Sequence, residues 1–184
     1  MRKFLILTIL ALLPFGCFAQ MSKYAFTESK FEDNSYIKVF NDSNISKKEM
    51  FQNAKRWVSK SFDSYKAAIQ YEDAENTSLT LKGIIPMEIT DVDAANYTQY
   101  KVGLDFTLSI DCRDNKYRLK FENLSVKGIK VVSLGLAKST NRIDLPLSEF
   151  LALSKNRVFG LHVSPAFVDL INSASKAIST KDDF

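Results

Sequence analysis

The feature that most constrains this chain is a pair of alternating segments joined by a two-residue turn. Leu104, Phe106, Leu108 and Ile110 alternate with Asp105, Thr107, Ser109 and Asp111. A few residues on, Tyr117, Leu119 and Phe121 alternate with Arg118, Lys120 and Glu122. A period of two puts one set on each face of a pleated strand, so each segment is a strand with one apolar and one polar face. Asp114 and Asn115 can both supply the positive φ that a tight primed turn requires. Closing the hairpin there sets Ile110 opposite Leu119, Leu108 opposite Phe121 and Asp111 opposite Arg118. The apolar faces then coincide and one charge pair matches in sign. After Glu122 the phase slips to Leu124 and Val126, which predicts a bulge near Asn123.

A sheet that is apolar on one side needs a cover, and the flanking sequence supplies it. Ser46-Lys47-Lys48-Glu49 has the form of a capping box. The helix it starts carries Met50, Phe51, Ala54, Trp57, Val58 and Phe62 at three- and four-residue spacing, a continuous apolar stripe. Near the other end, Ser164-Pro165 reads as an N-cap followed by a first-turn proline. Phe167, Leu170, Ile171, Ala174, Ala177 and Ile178 form the face of that second helix. Tyr36–Phe40 reads as a strand, and so does a segment from Tyr65 to Glu72, where Ala67, Ile69 and Tyr71 alternate with Ala68, Gln70 and Glu72. Leu79–Ile85 is a further strand, with Pro86 excluding a central position beyond it. Asp91–Gln99 reads as a polar connection, Lys127–Thr140 contains a further short strand, and Pro146–Ser154 is a short helix burying Leu147, Phe150 and Leu151. The expected class is α+β: an antiparallel twisted sheet with two amphipathic helices on one face, in the order β-α-β-β-β-β-α.

The first residues speak to destination. Arg2 and Lys3 precede an apolar run from Phe4 to Leu13, Pro14 and Gly16 break it, and Ala19 is small. These are the parts of a secretory signal peptide, cut after Ala19 to leave Gln20 at the new N-terminus. Residues 1–19 are thus expected as the leader, 20–34 as a loose arm and 35–180 as a single domain, periplasmic or extracellular. Gly16-Cys17 supplies half of a lipoprotein box, with Pro14 where an aliphatic residue belongs, so a lipid anchor on Cys17 is the alternative. The apolar run is too short to span a bilayer, and no later stretch is long enough, so no transmembrane helix is expected.

Composition narrows the functions. With 46% hydrophobic and 12% aromatic residues the chain is not a disordered one. Two Cys and one His exclude a disulfide scaffold and any zinc site built from several imidazoles or thiolates. The leader carries two of the formal charges of +4, so the mature chain is near +2, with acids and bases interspersed. Electrostatic capture of nucleic acid is therefore not expected.

With its leader, the chain resembles a family of secreted proteins from Bacteroidetes-type bacteria that contain a domain of unknown function with a TATA-binding-protein-like fold. The matching residues are the helix ending Ala54-Lys55-Arg56-Trp57-Val58, the strand Ile69-Gln70-Tyr71-Glu72-Asp73 and the hairpin Asp114-Asn115-Lys116-Tyr117-Arg118-Leu119-Lys120-Phe121-Glu122-Asn123. The family has Gly where Asn115 stands, and either residue suits the turn. The resemblance covers Ser35 to Val126 well and the remainder loosely, and it implies a fold. It implies no catalytic residue and, because fold does not fix function, no DNA binding.

Chemistry candidates are few. His162 is the one imidazole, so a His-based acid or base must be this residue, with Ser164 close by in sequence. The carboxylates Glu72, Asp73, Glu75, Asp91 and Asp93 offer acid chemistry, yet the oxygen-rich spacing of a calcium loop is missing, so no metal is expected. No Gly-rich phosphate loop or nucleophile elbow occurs, and no cofactor is expected. Cys112 shares the parity of Leu108 and Ile110 and reads as a small buried hydrophobe. Lys116, Arg118 and Lys120 lie on the face opposite Tyr117 and Leu119, where they can hold an anionic ligand such as an acidic glycan, or be neutralised by Asp105 and Asp111 across the hairpin. The expected function is a non-catalytic envelope or periplasmic binding module, with an envelope protein or anionic glycan as partner. The alternative is a small hydrolase-like enzyme using His162 or the surface carboxylates, and a third reading is self-assembly through an exposed sheet edge.

Overall fold

A computed structural model describes residues 35–42, 44–93, 96–134, 137–158 and 163–181. The expected leader, the arm and His162 lie outside the described residues. In chain order the elements are β1 (Tyr36–Asn41), α1 (Lys47–Ser61), α2 (Tyr65–Ala68), β2 (Ile69–Asp73), β3 (Ser78–Asp93), β4 (Asn96–Arg113), β5 (Lys116–Leu134), β6 (Ala137–Pro146), α3 (Leu147–Val158) and α4 (Ser164–Ile178). The strands form one antiparallel sheet in the order β1-β5-β4-β3-β2, and β6 joins the same side of β5 as β1.

The β4–β5 hairpin has the register that alternation demands: Ile110 faces Leu119, Leu108 faces Phe121 and Asp111 faces Arg118. Asn115 takes a positive φ of 65°, whereas Asp114 does not, so one left-handed residue closes the turn rather than two. The bulge falls at Asn123 as expected: the register shifts between Asp105 and Thr107, and Asn123 has φ 55°. β1 covers β5 from Lys116 to Phe121 and β6 covers it from Ser125 to Leu134, so these two partners meet at the bulge.

α1 is set by its sequence. Ser46 accepts the Glu49 amide at 3.2 Å, and Met50, Phe51, Ala54, Trp57 and Val58 are buried. Burying side chains of this size is worth about 1.5–3 kcal/mol each for the larger ones. α4 turns Phe167, Ile171, Ala174 and Ile178 inward, and α3 buries Leu147 and Phe150. Phe121 sits at the centre, with Phe106 and Phe167 edge-on at 5.6 and 5.5 Å between ring centroids. Tyr100 meets Phe150 edge-on at 5.9 Å, which seats α3 on the same side of the sheet as α1 and α4. Three polar side chains fasten α4: the Trp57 indole donates to Ser173 Oγ at 3.0 Å, the Tyr117 hydroxyl to Ser175 Oγ at 2.9 Å, and Asn53 Nδ2 to the carbonyls of Ile178 and Thr180 at 3.1 and 2.7 Å.

The expected α+β class holds, and four local readings need correction. Tyr65–Ala68 is a helical turn, not strand: Ser64 Oγ accepts the Ala67 amide at 3.3 Å, and β2 begins only at Ile69. A register shift between Ile69 and Tyr71 then turns Tyr71 to solvent. β3 runs through Pro86 to Asp93, and β4 starts at Asn96, so the expected polar connection is mostly strand. Pro86 is tolerated because β2 ends opposite Leu81, leaving the far side of β3 without a strand partner among the described residues. The Lys127–Thr140 stretch is the second half of β5 together with the start of β6, rather than one short strand. Finally, α4 starts at Ser164 itself: Val163 holds the cap position in a helical conformation and makes no side-chain cap bond.

Candidate functional site: the uncovered sheet face

All three long helices pack on one face of the sheet. On the other face the pairing aligns side chains in rows across the strands: Pro86, Gly103 and Lys127; Glu88, Lys101 and Ile129; Lys82, Thr107 and Glu122; Ser78, Asp111, Arg118 and Val39. No described element lies over these rows. The exposed large hydrophobics of the described chain (Ile37, Val39, Tyr71, Ile84, Tyr97 and Ile129) all belong to this face, with Ile84 the most exposed at 65%. Isolated apolar residues on a surface are ordinary; here they gather on the one sheet face that no described helix covers.

The sequence-derived cations sit here too. Tyr117 and Leu119 are buried, so Lys116, Arg118 and Lys120 point to the uncovered face beside Val39 and Ile37 of β1. Asp111 neutralises Arg118 as expected, with Oδ2 accepting from Nε at 3.0 Å and Nη2 at 2.7 Å. Asp105 does not serve Lys120; it pairs with Lys127 at 2.7 Å and raises that ammonium's pKa. Lys120 pairs instead with Glu122 on its own strand at 2.7 Å. The structure adds Arg113, which lies opposite Lys116 at the hairpin end. Val39, Asp111, Arg113, Lys116, Tyr117 and Arg118 line a depression of about 180 Å³ there. The parity of Arg113 with Asp111 was the signal for it in the sequence.

The remaining candidates are accounted for locally. Glu72 accepts from Lys55 of α1 at 2.5 Å and from the Tyr65 hydroxyl at 2.7 Å; these bonds hold its carboxyl below the ordinary value. Burial, then Glu72 itself, raises the Tyr65 phenol. Asp73 accepts the amides of Asn76 and Glu75 at 2.9 and 3.0 Å, the bonds of a turn, and its pKa falls accordingly. These carboxylates act as structural acceptors. Asp91 and Asp93 belong to β3, opposite Thr98 and Asn96, and their side chains lie outside the described part. Among the described residues, no three His, Cys, Asp or Glu side chains gather as a metal site. Burial pushes the Cys112 thiol up to about 12, as a small buried hydrophobe rather than a nucleophile. No helix among the described residues is long and apolar enough to cross a membrane.

A larger groove, about 730 Å³, opens where the uncovered face meets the rim of the sheet. Phe62, Ser64 and Ala68 from the α1–α2 corner border it on one side, and Lys82, Gly83 and Ile84 of β3 on the other. It extends inward to Asp105, Asn123 and Lys127, and so reaches the β5 bulge. Nothing in the alternation of the sequence marked this groove, because it depends on β2 stopping short.

A solved structure and a family model agree with this architecture. A crystal structure of a DUF4468 family protein from Bacteroides ovatus ATCC 8483 superposes with a TM-score of 0.52 at 10% identity, covering 89% of this chain and 94% of that one. A TBP-like protein from Parabacteroides distasonis ATCC 8503 gives 0.49 at 18% identity, covering 84% and 98%. No curated protein matches. The family model described as a domain of unknown function (DUF4468) with TBP-like fold matches residues 36–127, from β1 through the bulged half of β5, and the chain belongs to that family.

Proposed function

We propose that this chain is an exported, non-catalytic binding module that holds an acidic protein partner of the cell envelope against the uncovered face of its sheet. One observation carries the reading: the exposed large hydrophobics share that face with a surplus of cations. Lys82, Lys101, Arg113, Lys116, Lys120 and Lys127 stand there among fewer carboxylates. Apolar side chains supply contact area and cations choose the partner's sign, a combination typical of protein interfaces. An acidic glycan would use the cations of Lys116, Arg118 and Lys120 but leaves Ile84, Ile129 and Tyr97 without a role. Export rests on the Arg2-Lys3 start, the apolar run and Ala19.

A photo-crosslinking residue placed at Ile129 or Ile37, on the uncovered face, is compared with one at Gln52 on the solvent side of α1 in cells that export the protein. Protease-sensitive adducts from the first two positions, lost in 0.5 M salt and absent from the third, are the expected result. Equal adducts from all three positions, or adducts resistant to protease, overturn the reading. N-terminal sequencing of the processed chain should begin at Gln20; acylated Cys17 would place the same module on a lipid anchor, and a retained Met1 would end the export proposal.

A further inference from the structure

We propose that the rim of β3 at Lys82–Ile85 is a second binding site, which takes a short extended peptide as an added strand in the 730 Å³ groove. This site is on the edge of the sheet, and the inference does not depend on the partner assigned to the face. β3 is paired with β4 from Ser78 to Asp93, but on its other side β2 covers only Ser78 to Leu81. The α2 turn leads into β2 beside this edge and borders the groove, and beyond Leu81 no described strand pairs with this side of β3. Edge N–H and C=O groups are satisfied by water, by side chains or by another backbone, and only the last meets the whole row at once, which makes an extended peptide the matching ligand class.

Three features shape the occupant. Pro86 lacks an N–H, and because β3 keeps its ladder with β4 through this residue, the missing donor belongs to the free side. By the alternation of an antiparallel strand, Lys82 and Ile84 then also direct their backbone groups outward. Pro86 stops the added strand after roughly four residues, about 13 Å at strand rise. This also disfavours a second copy of β3, whose antiparallel self-pairing would carry the proline into the ladder. Gly83 has no side chain, and a Cβ built there would run into the rings of Phe106 and Phe62. Phe106 stays buried in the core, and the half-buried Phe62, which lines the groove, gives the added peptide an apolar wall on the helix side. On the opposite side it meets Ile84 and the ammonium of Lys82, both exposed. The site therefore selects a peptide that alternates an apolar side chain, turned to Phe62, with a carboxylate or small polar one.

The probe is a displayed library of random hexapeptides, selected on the whole mature protein. A selected peptide is resynthesised with single backbone N-methyl groups along its length. Methylation at alternate residues should weaken binding tenfold or more, and methylation at the intervening residues should leave it nearly unchanged. Bound peptide should also slow exchange of the Lys82 and Ile84 amides. On the protein side, Ile84→Pro should abolish binding while Ile84→Ala, which keeps the amide, retains it within a few fold; the N-methyl scan keeps the test decisive if the proline variant fails to fold. Uniform sensitivity to methylation, protection on the uncovered face instead of the rim, failure to select any peptide, or a β3-linked dimer in place of a peptide complex would each overturn the proposal.

Discussion

Replacing Asn53 by Ala should cost this domain about 2–3 kcal/mol, although Asn53 belongs to α1 and its effect falls on α4. The last carbonyls of a helix have no partner within it, and many helices answer this with a left-handed residue, usually glycine. α4 ends instead at Ser179, with φ −86°, and its remaining carbonyls need an external donor. Asn53 is that donor: at 4% exposure it gives Nδ2 to Ile178 at 3.1 Å and to Thr180 at 2.7 Å, while its own oxygen accepts from Arg56. Each such bond contributes about 1 kcal/mol net, and a buried carbonyl left unpaired costs about 1–3 kcal/mol. For a domain of this size, 2–3 kcal/mol corresponds to a fall in Tm of roughly 5–10 °C. Urea unfolding followed by Trp57 fluorescence reads it as a lower midpoint at unchanged slope. Asn53→Asp has nearly the same volume but sets an acceptor against two carbonyls, so it should be at least as damaging at pH 7. An Asn53→Ala midpoint within about 0.5 kcal/mol of wild type, or an aspartate as stable as the asparagine, would refute the latch.

Further outcomes follow from the same reasoning. Cys112, with its thiol pushed up to about 12 by burial, should resist a thiol-specific dye in the folded protein and react only in step with urea unfolding; rapid labelling in buffer would place it at the surface. Glu72 has its folded pKa lowered first by the bond from Lys55 and then by that from Tyr65, so its contribution is present above the unfolded value near 4.5 and is lost as pH falls through the folded value. Glu72→Gln should therefore narrow the stability gap between pH 7 and pH 3, by a small amount because the pair is partly exposed; an unchanged gap would count against the assignment. Gly128 adopts φ 152°, and a Cβ there would run into the Lys101 carbonyl of the neighbouring strand. Gly128→Ala should destabilise by roughly 2–3 kcal/mol in a thermal melt, and a neutral result would mean that β5 can shift its path.

How much of this was legible depends on whether local pattern and tertiary packing pulled together. In the β4–β5 hairpin, alternation, turn residues and the Asp111–Arg118 charge pair favour one register, and that register forms. α1 is similarly over-determined, by its cap and its apolar stripe. Tyr65–Ala68 failed because Ala and Tyr at alternate positions suit a strand and a helical turn equally, and Ser64 decided the matter through one hydrogen bond. β6 was obscured for a different reason. Its AKSTNRIDLP sequence has an apolar alternation only at Ile143 and Leu145, and the remainder is held by the backbone ladder to β5 on an exposed rim. The cations were placed on the correct face by parity alone, but their partners depend on side-chain reach across strands. The groove beside β3 was invisible in one dimension, since it is the space left where a neighbouring strand ends.

The meeting of β1 and β6 at the Asn123 bulge has a mechanical side. The polypeptide enters β1 at Tyr36, opposite Phe121, halfway along the rim rather than at a corner. Tension applied at Ser35 therefore reaches the sheet at its waist, and the first rung of β1 that it meets is the Tyr36–Phe121 pair. The strand would unzip rung by rung toward Asn41 at low force, finally parting Phe40 from the Tyr117 ring stacked on it at 4.9 Å. A pull on the far terminus meets α4 clamped by Asn53, Trp57 and Tyr117 together, so the two ends of the domain should yield at different loads.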